Sequence, residues 1–441
     1  MSTQTAVPKK YLESIGPDQR KGITAGIYSI CSSHRMVLEA AFEQAKQEKG
    51  PLLVEATCNQ VNQFGGYSAM TPADFTEYVI RMAGRMGFPE QRLMIGGDHL
   101  GPHVWRKEPA RTAMEKAETL VQECVRAGYG KIHLDASMPL GDDKEPEISH
   151  ELSAKRTARL CLAAEKAAEK IHQQNTLPVY VIGAEVPTPG GSLALPHDVP
   201  VSSPAEVQKF IEVCKNEFLE SGLQDAWDRV IAIVVQPGID FGETWVAQYK
   251  KDAARRLSEF HDRLPGKMTY EIHATDFQTP GALDQMALDH FALMKTGPCL
   301  THAFREAVFA LAHIEQLRFK GRKDIYLSGI KELLCRIMDS HPNHWKSHHR
   351  AESASEWTVL FSYLDRVRYY WTRLEVEEAL ARMTANLSGQ IPLPLLSQYM
   401  PKQYSAVSEG ALCANPISLI RHKVQTAIIP YASACRMFKN A

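Results

Sequence analysis

The feature that most constrains this sequence is a rhythm: from residue 23, short apolar and β-branched runs alternate eight times with segments of helical period. The runs are ITAGIYSIC (23–31), PLLVEAT (51–57), LMIGGDH (93–99), KIHLDAS (131–137), PVYVIGAE (178–185), VIAIVVQPG (230–238), MTYEIHATD (268–276) and FALMKTGP (291–298). Nearly continuous apolar character suits strands covered on both faces, as in a parallel sheet flanked by helices. Eight strand-helix rounds predict an α/β fold of the closed (β/α)8 type, the TIM barrel, with an open doubly wound sheet as the alternative.

The connections read as amphipathic helices. Ala113, Met114, Ala117, Leu120, Val121, Cys124 and Val125 recur at helical spacing ahead of the stop signal Gly128. Thr71-Pro72-Ala73-Asp74 sets a capping hydroxyl before a proline at the first helical position, opening a helix that runs through Met86. Residues 1–20 read as an N-terminal tail and 21–318 as the barrel. After Arg318 the strand rhythm stops, and 319–441, rich in Tyr, Trp, His and Pro, reads as a helical C-terminal extension that could cover the barrel or a partner subunit.

Composition narrows the partners. Fifty basic residues against fifty-one acidic ones give a formal charge of -1, and no basic run supplies the footprint that nucleic acid or an anionic membrane requires. The first twenty residues lack the apolar core of a secretory signal, and no run of about 20 apolar residues is present to span a bilayer. The nine cysteines are scattered singly, without a CxxC pair, and read as reduced thiols. A cytoplasmic, oligomeric protein acting on a small molecule is expected.

In an eight-stranded α/β barrel the chemistry sits at the carboxyl ends of the strands, and here those ends are polar. They carry Glu55, Asp98-His99, His133 and Asp135, Glu185, Gln236, Glu271, His273 and Asp276, and Lys295. His133 and Asp135 are two apart, as are Glu271 and His273, so each pair shares one face of its strand. Any one of these groups reads equally well as a satisfied core polar residue. The whole set is harder to explain as packing, because each unpaired buried ion costs several kcal/mol. Imidazole and carboxylate together suit a divalent ion, zinc first, with manganese, nickel or cobalt as options, which would polarise a sugar carbonyl. Asp98 and Glu185 are candidates for proton transfer; Lys295 would neutralise an oxyanion or, with a lowered pKa, form a Schiff base. Asn59, Gln60, Asn62 and Gln63 offer uncharged donors and acceptors for sugar hydroxyls, with Glu55, His133, Asp135, Glu271 and Asp276 as further substrate contacts. No GxxxxGK[ST] phosphate loop occurs, which argues against a kinase.

The stretches EATCNQVNQFGGYSAMTPADF (55–75), GGDHLGP (96–102), KIHLDASM (131–138), EIHATDFQT (271–279), LMKTGP (293–298), RVRYYW (366–371) and SQYMPKQY (397–404) closely resemble the GatZ/KbaZ family over nearly the entire chain. That family comprises the so-called non-catalytic subunits of class II D-tagatose-1,6-bisphosphate aldolase, which support the activity and stability of a separate catalytic subunit. Some relatives are described as ketose 4-epimerases and others as tagatose-6-phosphate kinases. The resemblance implies a pocket for a sugar or sugar phosphate and a class II aldolase subunit as partner. By similarity to the class II aldolase barrel, Asp98 takes the place of the general acid. His99 and His273 take the places of metal histidines, and Glu185 that of a carboxylate lying behind or alternating among the ligands. Gln236 stands where the middle metal histidine is expected, and Ala274-Thr275-Asp276 stands where that enzyme has a glycine-rich phosphate loop.

Overall fold

The computed structural model describes residues 6–145, 147–171, 177–183, 191, 199–346 and 356–436. Eight parallel strands, Ile27–Cys31, Leu52–Thr57, Leu93–Leu100, Lys131–Leu134, Val179–Ile182, Val230–Val234, Thr269–Ile272 and Phe291–Thr296, pair in chain order. The first also pairs with the last, setting Ile27 opposite Leu293 and closing the barrel. Each expected run overlaps one of these strands, the third reaching one residue past its run to Leu100, and closure rules out the open sheet. Several strands stop short of their runs: the fourth ends at Leu134 and the seventh at Ile272, so Asp135 and His273 belong to the loops above the barrel. This shortening is local, because the backbone leaves the ladder to aim side chains at the mouth; Ala274, just after His273, has a positive φ of 53°.

The outer helices form for the reasons their sequences suggest. Pro72–Met86 opens on a capping box in which the Thr71 hydroxyl accepts from Asp74 N and the Asp74 carboxylate accepts from Thr71 N, and it closes on Gly87 at φ 64°. Ala110–Arg126 buries the seven residues that its periodicity marks, Ala113, Met114, Ala117, Leu120, Val121, Cys124 and Val125.

Two segments do more than their sequence readings suggest. Residues Ala6–Arg20, read as a tail, form a helix beneath the barrel that buries Leu12 and Ile15. Lys9 donates to the Leu177 carbonyl and Arg20 to that of Met268. The extension is helical, as expected, and is built into the barrel wall. Its helix Pro416–Ala434 packs against Arg35–Ala45, Pro280–Leu288 and Pro298–Phe319. Tyr431 on that helix donates its hydroxyl to the Thr275 carbonyl at 2.8 Å, and Arg421 pairs with Glu39 and Glu43 at 2.6 and 2.8 Å. Upstream, a strap around residues 361–373 crosses the barrel mouth, anchored by the buried pair Arg305–Asp365 at 2.9 Å. Among the described residues no helix is long and apolar enough to cross a membrane.

Candidate functional site

Four side chains from three strand ends converge above the barrel: Asp98 and His99 from the third, His133 from the fourth and His273 from the seventh. All four are buried, and each offers a ligand atom within 4.8 Å of the others. Neighbouring carboxylates decide which nitrogens are free. Asp135 Oδ2 lies 2.8 Å from His99 Nδ1, so that nitrogen carries the proton and donates, leaving a lone pair on His99 Nε2. Glu271 Oε1 lies 3.0 Å from His273 Nε2, which by the same logic leaves the lone pair on His273 Nδ1. His99 Nε2 and His273 Nδ1 face each other at 3.1 Å, and although burial opposes it, Asp98 and Asp135 raise the His99 pKa, which favours a proton there unless an ion takes its place. Two lone pairs at that distance repel unless a shared proton or a cation lies between them. His133 adds to this demand, because its Nε2 is buried without a hydrogen-bond partner. His99 itself sits at φ 49°, an uncommon backbone conformation for a side chain of its size.

The charge balance points the same way. Lys131 bridges Glu55 at 2.9 Å and Glu271 at 2.7 Å, while Lys295 pairs with Glu55 and with Asp98 at 3.2 Å. Four carboxylates, Glu55, Asp98, Asp135 and Glu271, therefore face two ammonium groups, and this excess of carboxylate calls for a further cation or proton among the imidazoles. Burial alone would raise the Asp98 carboxyl, but His99, Lys295, His273 and the hydrogen bond from His133 hold it well below the usual carboxylate range. Burial opposes charging Lys295 too, yet Asp98, Cys31, Glu55 and Glu271 keep its pKa well above the ordinary lysine value. So held, Lys295 favours its ammonium form beside Asp98 and Glu55. Burial pushes His273 down to about 4, so it is neutral and available as a ligand. The donor set, the orphaned His133 nitrogen and the excess of carboxylates over ammonium groups together fit a divalent cation.

Above this centre opens a cavity of about 950 Å³ counted to its mouth. Cys31, Ser32, Thr57, Asn59, Gln60, Tyr67, Asp276 and Lys295 line it from the barrel, and Arg368, Tyr369 and Thr372 of the strap form the facing wall. Asp276 is held at the start of helix Pro298–Phe319 by the Gly297 and Cys299 amides at 3.0 and 2.8 Å. Gln60 is fixed by accepting from Thr57 N at 2.8 Å and donating to the Cys31 carbonyl at 3.3 Å.

The expected residues thus sort into distinct places. Asp98, His99 and His273 stand together at the centre, and His133, expected as a substrate contact, lies within the same group of donors. Asp135 stands behind His99, and Glu55 and Glu271 lie beneath the centre in the lysine ladder, fully buried and off the pocket surface. Asn59, Gln60 and Asp276 line the pocket. Asn62 caps its own loop, accepting from Phe64 and Gly66 N, and Gln63 donates outward to the Lys116 carbonyl. Gln236 accepts from Gly238 and Ile239 N, both at 2.9 Å, so its amide oxygen is spent on its turn and it stands apart from the pocket. Glu185, and most of the loop 185–191, lie outside the described residues. Sequence reasoning missed Cys31, Ser32, Arg368 and Thr372 as pocket walls. The signal for the strap was the Arg-Val-Arg-Tyr run itself, two guanidinium groups beside a phenol in a segment without helical periodicity.

Known proteins extend the picture. The crystal structure of a probable tagatose 6 phosphate kinase from Sinorhizobium meliloti 1021 is 38% identical to this chain, covers 93% of it and all of its own length, and superposes with a TM-score of 0.83. A fructose-bisphosphate aldolase from Campylobacter jejuni, at 13% identity and 0.45, covers 87% of this chain and 92% of its own. The YdjI aldolase from Escherichia coli K12, at 11% and 0.41, covers 84% and 94%. Both fall too low to bear on the chemistry. The family model for D-tagatose-1,6-bisphosphate aldolase subunit GatZ/KbaZ-like proteins matches residues 12–436. On that match across nearly its whole length, the chain belongs to the GatZ/KbaZ-like family of D-tagatose-1,6-bisphosphate aldolase subunits.

Proposed function

We propose that this chain is an aldolase subunit whose own pocket binds a divalent metal and a ketohexose or its phosphate, beside a separate catalytic subunit that it stabilises. The single observation that carries the metal reading is the convergence of four buried donors, Asp98, His99, His133 and His273, with ligand atoms within 4.8 Å of one another. A divalent ion there, zinc foremost, would polarise a ketose carbonyl and stabilise negative charge developing on it. Asp98 and His133 would complete the donor set, Lys295 would hold Asp98 ionised, and Asn59, Gln60 and Asp276 would orient the hydroxyls. The strap residues Arg368 and Tyr369 would screen the reacting end from water.

A second reading, a metal-dependent ketose 4-epimerase or aldolase active by itself, is favoured by the completeness of this pocket. A merely supportive protein gains nothing from four buried carboxylates and two buried lysines that apolar packing could replace. To test both, the chain is purified alone, loaded with Zn, Mn, Ni or Co, and assayed for fructose-tagatose interconversion and tagatose-1,6-bisphosphate cleavage. Turnover that disappears in Asp98→Asn and His273→Ala supports the enzyme reading. Inactivity, with restored activity of a purified catalytic aldolase subunit on mixing, supports the partner role. A chain that takes up no metal and restores no activity to a catalytic subunit would refute the proposal. Phosphate transfer from ATP is expected to be absent, since the chain has no phosphate-binding loop of the GxxxxGK[ST] type.

A further inference from the structure

Beside the pocket lies a second cavity that the proposed chemistry leaves without a role. His103, Arg106, His344, Arg366 and Arg373 stand in its walls, and among the described residues no Asp or Glu lines it. Asn59, Tyr67, Tyr369 and Thr372 line both spaces, so the two adjoin along one partition, in which the Tyr67 and Tyr369 rings meet edge to face at 4.5 Å. The chain as a whole is nearly neutral, so this positive concentration is local.

Arg366 is the informative member. It is 3% exposed, and its Nη1 donates to the Tyr369 phenol oxygen at 3.0 Å. Its Nε is buried without a hydrogen-bond partner. Among the described residues no carboxylate pairs with it; instead Arg368 donates to the same phenol at 3.2 Å. His344 stacks on Tyr369 at 4.8 Å and is itself held neutral, first by burial and then by the charges of Arg366, Arg373 and Arg368. A buried guanidinium facing other cations is costly unless an anion joins it. The planar, forked donor set of arginine matches the oxygens of a phosphate better than any other common oxyanion-binding side chain.

We propose that this second cavity is a phosphate subsite, holding the phosphate end of a phosphorylated ketose whose carbonyl end reaches the His99–His273 centre across the Tyr67–Tyr369 partition. The sugar half of this inference rests on the ketose reading above, whereas the anion half stands separately. It supplies from the strap the charge that no glycine-rich loop supplies after the seventh strand.

The test is calorimetric titration of the full chain with inorganic phosphate, D-fructose and D-fructose 6-phosphate, repeated on Arg366→Gln and on the double variant Arg106→Gln/Arg373→Gln. The double variant changes an exposed and a half-buried residue, so it keeps the test informative if Arg366→Gln fails to fold. Fructose 6-phosphate is expected to bind at least tenfold more tightly than fructose. The double variant should weaken phosphate and fructose 6-phosphate at least fivefold while leaving fructose unchanged. Phosphate binding lost in the double variant, with no binding of fructose to any form, keeps the anion site and overturns the ketose reading. Equal affinity of the wild type and the double variant for phosphate, or no preference for the phosphorylated sugar, overturns the subsite.

Discussion

Replacing Asp135 with asparagine tests the metal reading at its narrowest point. The Asp135 carboxylate accepts from His99 Nδ1 at 2.8 Å and is held by Ser137, whose hydroxyl and amide donate at 2.6 and 3.1 Å. Burial alone would raise its pKa, but the hydrogen bond and charge of His99, with His133 and Ser137, keep it ionised. Asparagine preserves the shape and removes the charge. A hydrogen bond to an ionised partner contributes about 1.5–3 kcal/mol and a neutral one about 0.5–1.5, so the hold on the His99 tautomer weakens by roughly 1–1.5 kcal/mol. A carboxylate beside the centre is lost as well, and carboxylates behind metal-bound imidazoles are worth about 10- to 100-fold in affinity. Zinc affinity, measured by competition with a chromogenic chelator at pH 7.5, should therefore fall by about one to two orders of magnitude. Glu271→Gln, acting on His273, should fall by a comparable factor. Zinc affinity within twofold of wild type in a folded Asp135→Asn protein would refute the argument that these carboxylates aim the imidazole lone pairs at a cation.

Three further outcomes follow from the packing. Gly16→Ala sets a Cβ 2.6 Å from the Lys267 and Met268 carbonyl oxygens, and should lower stability by about 1–3 kcal/mol, read as a shift in the urea midpoint. Asp365→Ala leaves Arg305 buried without its partner at 2.9 Å; a loss of about 3–5 kcal/mol is expected, with faster proteolysis of the strap. His261 is fully buried beneath the barrel, stacked on His290 at 4.5 Å, and burial, then His290 and Arg20, push its pKa down to about 4. Its contribution is fully present above pH about 6.5 and is lost as pH falls toward 4, on the order of 3 kcal/mol in all. His261→Phe should flatten that part of the stability-pH curve; an unchanged slope contradicts the assignment.

Much of the architecture was legible because burial on both faces leaves so plain a mark. Strands such as VIAIVV have no polar face to hide, and the helix Ala110–Arg126 shows its buried stripe residue by residue. What failed to show did so for physical reasons. The helix Ala6–Arg20 contains Pro8 and Pro17, and its contact with the barrel depends on a glycine that only the close carbonyls explain. The place of His133 beside the other donors did not show, because the residue type is the same for a substrate contact and a ligand, and the sequence does not encode the approach of His99 and Asp98 from the neighbouring strand. Gln236 occupied a suggestive position in the chain, yet its amide satisfies a turn, a local bond that spacing along the sequence does not encode. The strap was visible as a motif but not as a wall, since its place depends on Asp365 reaching Arg305 some sixty residues away.

The helix Pro416–Ala434 has a consequence for how the molecule is made. It fills the seam where the outer helices of the first and last strand-helix rounds meet, so a chain emerging from the ribosome completes all eight strands while that seam still exposes apolar surface. Closure waits for the helix Pro416–Ala434, translated well after the eighth strand Phe291–Thr296, and until then the nascent protein needs protection from aggregation. A nonsense codon near position 415 would therefore yield an insoluble product rather than a trimmed but working barrel.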